Sequence, residues 1–186
     1  MARNAQEIDR RRDRERRIVD TTRRIAEEEG WAAVTVRRLA DEMGFSQPIL
    51  YRLFPGGRDE IVGRLVLEGY ADLTARMTSP DDDLRHLIAG YLEFARSNPA
   101  IYEAMASFRT DFAFAAGDTP ESLVEGFAVL QRAVGGRDAT ERTVRAELLW
   151  SLLHGVGLLS SNGRLDDALD DARENTIADL FATPPG

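Results

Sequence analysis

The stretch Thr35 to Phe54, TVRRLADEMGFSQPILYRLF, constrains the fold of this chain more than any other. Its first apolar residues recur at i, i+3, i+4 and i+7, the spacing of one helix face: Val36, Leu39, Ala40 and Met43. Thr35 is a suitable N-cap for this helix, and Gly44 can take the left-handed conformation that ends it. Ser46 can cap a following helix, and Pro48 suits its first turn, where backbone N–H groups have no intrahelical partner. The stretch therefore predicts two short helices joined by a tight turn.

The second of these helices has two different faces. Leu50 and Phe54 are spaced i, i+4 and are predicted to enter a small core. The remaining residues form a polar and aromatic outer face: Gln47, Pro48, Ile49, Tyr51 and Arg52. A helix of this kind fits the major groove of B-DNA, so the pair is interpreted as a helix-turn-helix. The alternative is a plain helical corner inside a bundle.

Helical periodicity dominates the rest of the chain, and it predicts an all-α fold of about nine helices. Only residues 32–36 look strand-like, and they are too few to build a sheet. The expected helices are approximately 5–29, 36–43, a third beginning after Ser46, 57–77, one ending at Ser97, one beginning at Asn98-Pro99, 121–134, 140–160 and 167–182. We expect an N-terminal helix-turn-helix domain at 1–56 and a larger helical domain at 57–186.

Composition excludes several classes of protein. The chain of 186 residues has no cysteine and two histidines, which leaves no disulfides and little for a zinc site. No secretory signal or membrane-spanning run is visible, which predicts a soluble, cytoplasmic protein with no membrane partner. No cofactor is expected. An all-α enzyme would need a convergent set of titratable groups, and no metal spacing, phosphate loop or nucleophile motif is found. A small helical ligand carrier without DNA-binding activity remains the alternative function.

The net charge of −8 is unevenly distributed. Residues 1–24 hold nine Arg and five acidic residues, whereas residues 61–186 hold 11 Arg and 20 acidic residues. Basic charge is therefore local and N-terminal, where nucleic acid would be bound. The Arg run has two interpretations: a solvated helix face on which Asp9, Asp13 and Asp20 pair with Arg, or an arm that contacts phosphates.

At these residues the sequence resembles the TetR family of bacterial transcription regulators. The similarity covers about residues 10–75, including the Gly44-Phe45-Ser46 turn, the upstream RIVDTTRRIAEEEGW and Arg58, where the family usually has Lys. The resemblance implies that Thr35, Tyr51 and Arg58 hold phosphates and that Gln47 reads an adenine edge. Ile49 is expected to meet a thymine methyl, and Arg52 to contact guanine or phosphate. The full set of expected DNA-binding residues is Thr35, Arg37, Gln47, Pro48, Ile49, Tyr51, Arg52 and Arg58.

The resemblance further implies a repressor that a small hydrophobic or aromatic effector releases from its operator. The run Trp150 to Gly155 resembles a Trp-His-Gly signature of one TetR C-terminal subgroup. His154 either satisfies a hydrogen bond in the core or contacts the ligand. The candidate pocket residues, which could also be ordinary core, are Tyr70, Tyr91, Phe94, Tyr102, Met105, Phe108, Phe112, Phe127, Trp150 and His154.

The eighth predicted helix, with AELLWSLLHGVGLL, is apolar nearly all round, as is typical of a helix buried on several sides. We expect it to form a four-helix bundle with the ninth helix and a second copy of the chain, so that a homodimer reads a palindromic double-stranded DNA operator. The expected interface residues are Leu149, Leu153, Val156, Leu169, Ala172, Thr176 and Leu180.

Overall fold

The structure is a computed structural model that describes the backbone of residues 2–107 and 120–182, and the side chains of residues 6–106 and 120–182. These residues form nine α-helices and no strand, so the all-α prediction is confirmed. The helices are α1 Ala2–Glu29, α2 Val36–Met43, α3 Gln47–Leu53, α4 Gly57–Met77, α5 Leu84–Ser97, α6 Pro99–Ser107, α7 Glu121–Val134, α8 Ala139–Ser161 and α9 Asp170–Phe181.

Two short segments differ from the sequence expectations. The strand-like stretch 32–36 overlaps a 3₁₀ turn, Trp31–Ala33, which follows Gly30 at φ 81°. The Trp31 indole donates a hydrogen bond to the Ala100 carbonyl at 2.8 Å, which holds this turn against α6. Residues 167–169, expected to begin the last helix, form a separate 3₁₀ turn in which Asp166 accepts from the Ala168 amide.

The helix-turn-helix forms as the local signals predict. The Thr35 hydroxyl accepts a hydrogen bond from the Arg38 amide at 3.1 Å, so it caps α2. Gly44 lies in the left-handed region at φ 66°, ψ 30°, and ends α2. Ser46 occupies the N-cap position of α3, but its side chain makes no capping hydrogen bond. Pro48 alone therefore favours the start of α3, through its fixed φ in the first turn.

A small core fixes the orientation of α3. Leu50 and Phe54 are both 1% exposed, as predicted, and Leu39 of α2 and Ile25 of α1 are completely buried beside them in one continuous core. Burying each of these side chains is favourable by about 1.5–3 kcal/mol. The inner face of α3 is therefore held rigidly, and its outer face is left for a partner.

Two elements link these first helices to the rest of the chain. Helix α4 runs directly from the helix-turn-helix into the C-terminal helices. At the first turn of α6, the Glu27 carboxylate of α1 accepts from the Ala100 amide at 3.1 Å and the Ile101 amide at 3.3 Å. A carboxylate at a helix N-terminus satisfies unpaired amides and is favoured by the helix dipole. The helix-turn-helix end of the chain is thus fastened to α6 by polar contacts as well as by packing.

The crossing of α4 and α5 depends on Gly90. A Cβ at Gly90 would lie 2.4 Å from the Arg76 carbonyl oxygen, whereas one at Gly63 of α4 would meet nothing within 4 Å. We predict that Gly90→Ala lowers the free energy of unfolding by about 1–3 kcal/mol, because the backbones must separate. The control Gly63→Ala should leave stability unchanged or raise it by up to about 1 kcal/mol. Urea unfolding of both variants provides the measurement, and equal midpoints would contradict the close-approach argument.

Candidate nucleic-acid interface and ligand cavity

The outer face of α3 is open to solvent. Gln47, Pro48 and Arg52 are exposed, Tyr51 is 48% exposed, and Ile49 is half-buried. Gln47 and Arg52 form no hydrogen bond or ion pair with the residues whose side chains are described. Their polar groups are therefore available to base edges or phosphates.

Thr35, Arg37 and Tyr51 flank this face. The Arg37 side chain is 84% exposed, with its guanidinium 4.0 Å from Asp41. The Tyr51 ring packs closely against the start of α4: a Cβ added at Gly57 would lie 3.0 Å from the Cε1 atom of Tyr51. Gly57 has φ 61°, so this close packing coincides with a backbone conformation that favours glycine. Tyr51 is thus both packed along its ring and partly exposed.

Arg58 is oriented differently from the expectation of a free phosphate-binding side chain. Its Nε donates to the Val34 carbonyl at 2.8 Å, and its second terminal nitrogen donates to the Trp31 carbonyl at 3.3 Å. The guanidinium therefore holds the start of α4 against the turn between α1 and α2. Contact between Arg58 and phosphate stays a prediction.

A groove of about 760 Å³ lies between the beginning of α1 and α3, and four arginines line it. It is lined by Gln6, Glu7, Ile8, Arg10, Arg11, Arg14, Ile49, Arg52 and Leu53. Arg11 pairs with Glu15 at 2.8 Å, whereas Arg10 and Arg14 form no ion pair with the described side chains. Among the described side chains, Asp9, Asp13 and Asp20 form no ion pair with Arg; Arg11 pairs with Glu15, and Arg24 with Glu28.

Two adjoining cavities lie among α4 to α8. The larger, of about 320 Å³, is lined by Tyr70, Leu73, Tyr91, Tyr102, Met105, Ala106, Trp150, Ser151 and His154. The smaller, of about 40 Å³, is lined by Tyr70, Leu73, Thr74, Met77, Tyr91, Ser122, Leu123, Gly126, Phe127, Leu130 and Trp150. The walls that they share are Tyr70, Leu73, Tyr91 and Trp150, so they form one elongated site with a narrow apolar end.

Most of the aromatic candidates line these cavities, but not all. Phe94 does not: it is completely buried, with the Arg76 guanidinium 5.7 Å from its ring centroid. It follows Tyr91 by three residues, yet it packs in the core, and its assignment to the pocket is corrected. Phe108 and Phe112 lie outside the described residues. The sequence analysis did not predict the aliphatic and small polar residues of α4 and α7 that line the cavities. The i, i+3, i+7 spacing of Tyr70, Leu73 and Met77 places them on one face of α4 and could have indicated part of this lining.

A chain of hydrogen bonds crosses the larger cavity. The Tyr91 and Tyr102 hydroxyls are 3.2 Å apart, and the Tyr102 hydroxyl is 3.0 Å from Nδ1 of His154. The Trp150 indole, which is only a donor, also hydrogen-bonds the Tyr91 hydroxyl. We therefore assign Tyr91 as the donor to Tyr102, and Tyr102 as the donor to His154, because this direction gives each hydroxyl proton an acceptor among the described residues. This direction makes Nδ1 an acceptor and places the imidazole proton on Nε2.

Burial favours the neutral form of each titratable group in this chain. It raises the pKa of Tyr102 to about 12 and lowers the pKa of His154 below its ordinary value. The neutral form of both groups is therefore favoured at pH 7. His154 thus hydrogen-bonds Tyr102 and lines the cavity, and its contact with a ligand stays a prediction.

An exposed apolar face runs along α8 and α9, but on α8 it is formed by different residues from those expected. Leu149 and Leu153 are completely buried within the chain, so they cannot face a partner, and this part of the prediction is corrected. The exposed residues lie one position earlier, about 100° round the helix: Leu148 at 58% and Leu152 at 36%. A groove of about 390 Å³ is lined by Leu152, Val156, Leu169, Ala172, Arg173, Thr176, Ile177 and Leu180.

Residues 2–107 and 120–182 contain neither a membrane-spanning helix nor a metal-binding cluster. No helix in these ranges is long and apolar enough to cross a membrane. The same part of the chain contains no cluster of three or more His, Cys, Asp or Glu side chains placed to hold a metal ion.

The exposed second helix of a helix-turn-helix, joined to a larger helical domain with a cavity, defines a DNA-binding regulator. Residues 18–65 match the family model described as bacterial regulatory proteins, tetR family, and residues 84–181 match the tetracyclin repressor-like C-terminal domain. The chain belongs to the TetR family of DNA-binding transcriptional regulators. Members of this family are generally not enzymes. Its assignment to the Trp-His-Gly subgroup stays a prediction.

Similar proteins agree with this assignment. The HTH-type transcriptional regulator Rv0681 of Mycobacterium tuberculosis is 28% identical over 165 residues, which are 83% of this chain and 73% of the relative. The crystal structure of the regulatory protein SCO4313 aligns with a TM-score of 0.74 at 25% identity, covering 93% of this chain and 97% of its own. BioQ, solved with its natural double-stranded DNA operator, shares the fold with a TM-score of 0.66 at 19% identity, covering 91% and 98%.

The direction of the hydrogen-bond chain can be tested by nitrogen NMR. We predict that at pH 7.5 His154 carries its proton on Nε2, with Nδ1 unprotonated, and that its pKa lies below the ordinary value because burial disfavours the charged ring. Long-range ¹H–¹⁵N correlation spectra of His86→Gln, which leaves His154 as the single histidine, would measure both. A proton on Nδ1 at this pH would contradict the assigned direction.

Proposed function

We propose that this regulator is a homodimeric repressor that binds a palindromic operator and leaves it when a small hydrophobic molecule enters the cavity. In this proposal residues 1–56 bind DNA in the cytoplasm, and residues 57–186 bind the effector and dimerise. The observation that carries it is the contrast between the two faces of α3. Leu50 and Phe54 are fixed in the core, while Gln47 and Arg52 on the outer face are unpaired within the described chain.

Each exposed residue of α3 has a part in reading the operator. The Gln47 amide can pair with both edge atoms of adenine, and Arg52 can contact guanine or phosphate. Ile49 presents an apolar surface to a thymine methyl. Thr35, Arg37 and Tyr51 flank α3 and position it through phosphate contacts, which carry no sequence information themselves.

The beginning of α1 extends this interface. Arg10 and Arg14 stand beside Arg52 in the groove between α1 and α3, without acidic partners among the described side chains. Unpaired guanidinium groups beside a recognition helix favour phosphate binding over a merely solvated face. We therefore assign the Arg run to the DNA interface as an arm that adds contacts flanking each half-site.

The dimer surface is the exposed apolar face of α8 and α9. Leu148, Leu169 and Leu180 are 58%, 54% and 66% exposed in the single chain, and Leu152 and Val156 line the groove between them. Removing this surface from water is favourable by about 25 cal/mol per Å². A second copy that presents the same face would form a four-helix bundle around a two-fold axis, and this arrangement implies a palindromic operator.

Helix α6 offers the route by which a ligand would alter DNA binding. Tyr102 and Met105 of α6 line the cavity, while Ala100 and Ile101 at its start are bound to Glu27 of α1. A ligand that prefers one position of α6 over another would shift α1 and the helix-turn-helix with it. It can do so only to the extent that its affinity differs between the two arrangements.

DNA binding is tested by selecting bound fragments from genomic DNA and measuring affinity for the selected duplex. We expect Gln47→Ala to relax the preference at one base pair in each half-site, by about 1–3 kcal/mol. We expect Arg14→Ala to weaken binding to all sequences and to lower the salt slope by about one unit per chain. Arg137→Ala is the matched control, because its side chain is 89% exposed far from α3.

The results of these measurements distinguish a DNA-binding regulator from a ligand carrier that does not bind DNA. Selection of no duplex at all would favour the carrier without DNA-binding activity. A Gln47→Ala variant that kept the parental preference at every base pair would show that α3 does not read the operator. If Arg14→Ala and Arg137→Ala changed the salt slope equally, the arm would be a solvated face.

The dimer is tested with a matched pair of exposed apolar residues. Leu148 of α8 is 58% exposed on the proposed interface, and Val124 of α7 is 55% exposed elsewhere. We predict that the parent sediments at twice the chain mass of 20.7 kDa. Leu148→Arg should dissociate it by burying two like charges near the axis, while Val124→Arg should not. A parental species of 20.7 kDa at micromolar concentration would refute the homodimer and the palindrome together.

A further inference from the structure

The donors of the larger cavity point to the chemistry of its ligand. We infer that the effector is an uncharged, largely apolar molecule bearing one hydrogen-bond acceptor oxygen, such as a ketone or ester carbonyl, which accepts from the Nε2–H of His154. This inference rests on the proposed function in one respect, namely that the cavity is the effector site.

The absence of charged side chains in the described lining determines the charge of the ligand. None of the residues lining the two cavities within 2–107 and 120–182 is Asp, Glu, Lys or Arg. An ionised ligand would lose its hydration there without gaining a charged partner among these residues. The described lining therefore favours a neutral molecule over a carboxylate or an amine.

The hydrogen bonds already formed within the larger cavity determine which polar group the ligand must supply. In the larger cavity the Tyr70 hydroxyl donates to the Met105 carbonyl, and the Ser151 hydroxyl donates to the Glu147 carbonyl. The Trp150 indole and the Tyr91 and Tyr102 hydroxyls donate along the chain that ends at His154. Among the described lining residues of this cavity, the Nε2–H of His154 is the one polar donor left without a protein acceptor.

The position of His154 then orients the ligand. Its imidazole is at the end of the larger cavity that contains Tyr102 and Ser151, away from Phe127 and Leu130 in the narrow part. The Tyr102 ring is held there because Gly157 has no side chain; a Cβ would lie 2.9 Å from the Tyr102 hydroxyl. An acceptor oxygen at His154 would place an apolar body along Tyr70, Tyr91 and Trp150, toward the narrow end.

The size of the site limits the body of the ligand. The larger cavity, of about 320 Å³, is near the lower bound of about 300 Å³ for small-molecule sites. It suits one ring with a short chain, and the adjoining narrow cavity suits the end of that chain. A 4-butyl-substituted benzene is therefore a suitable scaffold for probes that differ in the head group alone.

Four probes on this scaffold test the inference: 4-butylacetophenone, butylbenzene, 4-butylbenzoate and 4-butylbenzylammonium. Titration calorimetry of the full chain without DNA should show the ketone binding about tenfold tighter than the hydrocarbon, as one added hydrogen bond allows. The carboxylate and the ammonium should bind more weakly than the hydrocarbon. A carboxylate or an ammonium that bound as tightly as the ketone would overturn the inference, and so would the failure of all four to bind.

Variants identify the donor. His154→Asn keeps an acceptor for the Tyr102 hydroxyl in its amide oxygen but has no group at the Nε2 position, and should bind the ketone and the hydrocarbon equally. His86→Asn, on the exposed face of α5, should keep the parental tenfold preference. Should His154→Asn fail to fold, the Nε2–H resonance of the parent decides: it should shift with the ketone and not with the hydrocarbon. A preference that survived in folded His154→Asn, or an unshifted resonance, would overturn the assignment.

A last measurement separates this inference from the proposed function. The selected operator duplex is titrated with the regulator in the presence and absence of saturating 4-butylacetophenone. Weakened operator binding would support both the ligand chemistry and the release mechanism. A ketone that binds through His154 but leaves operator affinity unchanged would support the ligand chemistry and contradict release by this site.

Discussion

The coupling between the DNA-binding helices and the C-terminal helices depends on one carboxylate. Glu27 of α1 accepts from two amides at the start of α6, and Trp31 donates to the Ala100 carbonyl beside them. Arg58 of α4 binds the carbonyls of the same short turn after α1. Helices α1, α4 and α6 therefore meet at residues 31–34, and none of them can move far without breaking buried or half-buried polar contacts. This junction adds directional polar contacts to the continuous apolar core that also joins the two ends of the molecule.

The same junction explains why a cavity lined by α6 is suited to regulation. Helix α6 is nine residues long, so Tyr102 in the cavity is within one turn of the amides that Glu27 binds. Tyr102 is in turn bonded to Tyr91 of α5 and His154 of α8, which anchors the middle of α6 to two long helices. A ligand that contacts His154 would act on this anchor directly. The proposed release mechanism needs no long pathway, only a shift of one short helix between two sets of contacts.

The sequence predicted features that depend on local signals, such as helix ends and turns. It did not predict which side of a helix faces the core of the chain. The bounds of α2, α4 and α7 follow from caps and periodicity, and the turn at Gly44 from its conformational freedom. Leu149 and Leu153 were assigned wrongly to a dimer surface because α8 is apolar nearly all round, so periodicity does not say which side faces the chain's own core. Local sequence also did not reveal that Arg58 hydrogen-bonds the Trp31 and Val34 carbonyls, and its contact with phosphate stays a prediction. The cavity's aromatic residues could be proposed, but separating Phe94 from them required the packing of α4 on α5.

The uneven distribution of charge explains how a chain with a negative net charge can bind DNA, which is also negatively charged. The chain carries −8 overall, yet residues 1–24 hold nine Arg against five acidic residues. At physiological ionic strength the Debye length is about 8 Å, so a phosphate placed beside residues 1–24 would be attracted by their basic charge and largely screened from the C-terminal helices. The excess of acid in residues 61–186 then disfavours any approach to DNA through α5 to α9. Attraction at one end and repulsion at the other orient the regulator before any base is read, which is why whole-chain charge is a poor guide to the partners of a protein built in this way.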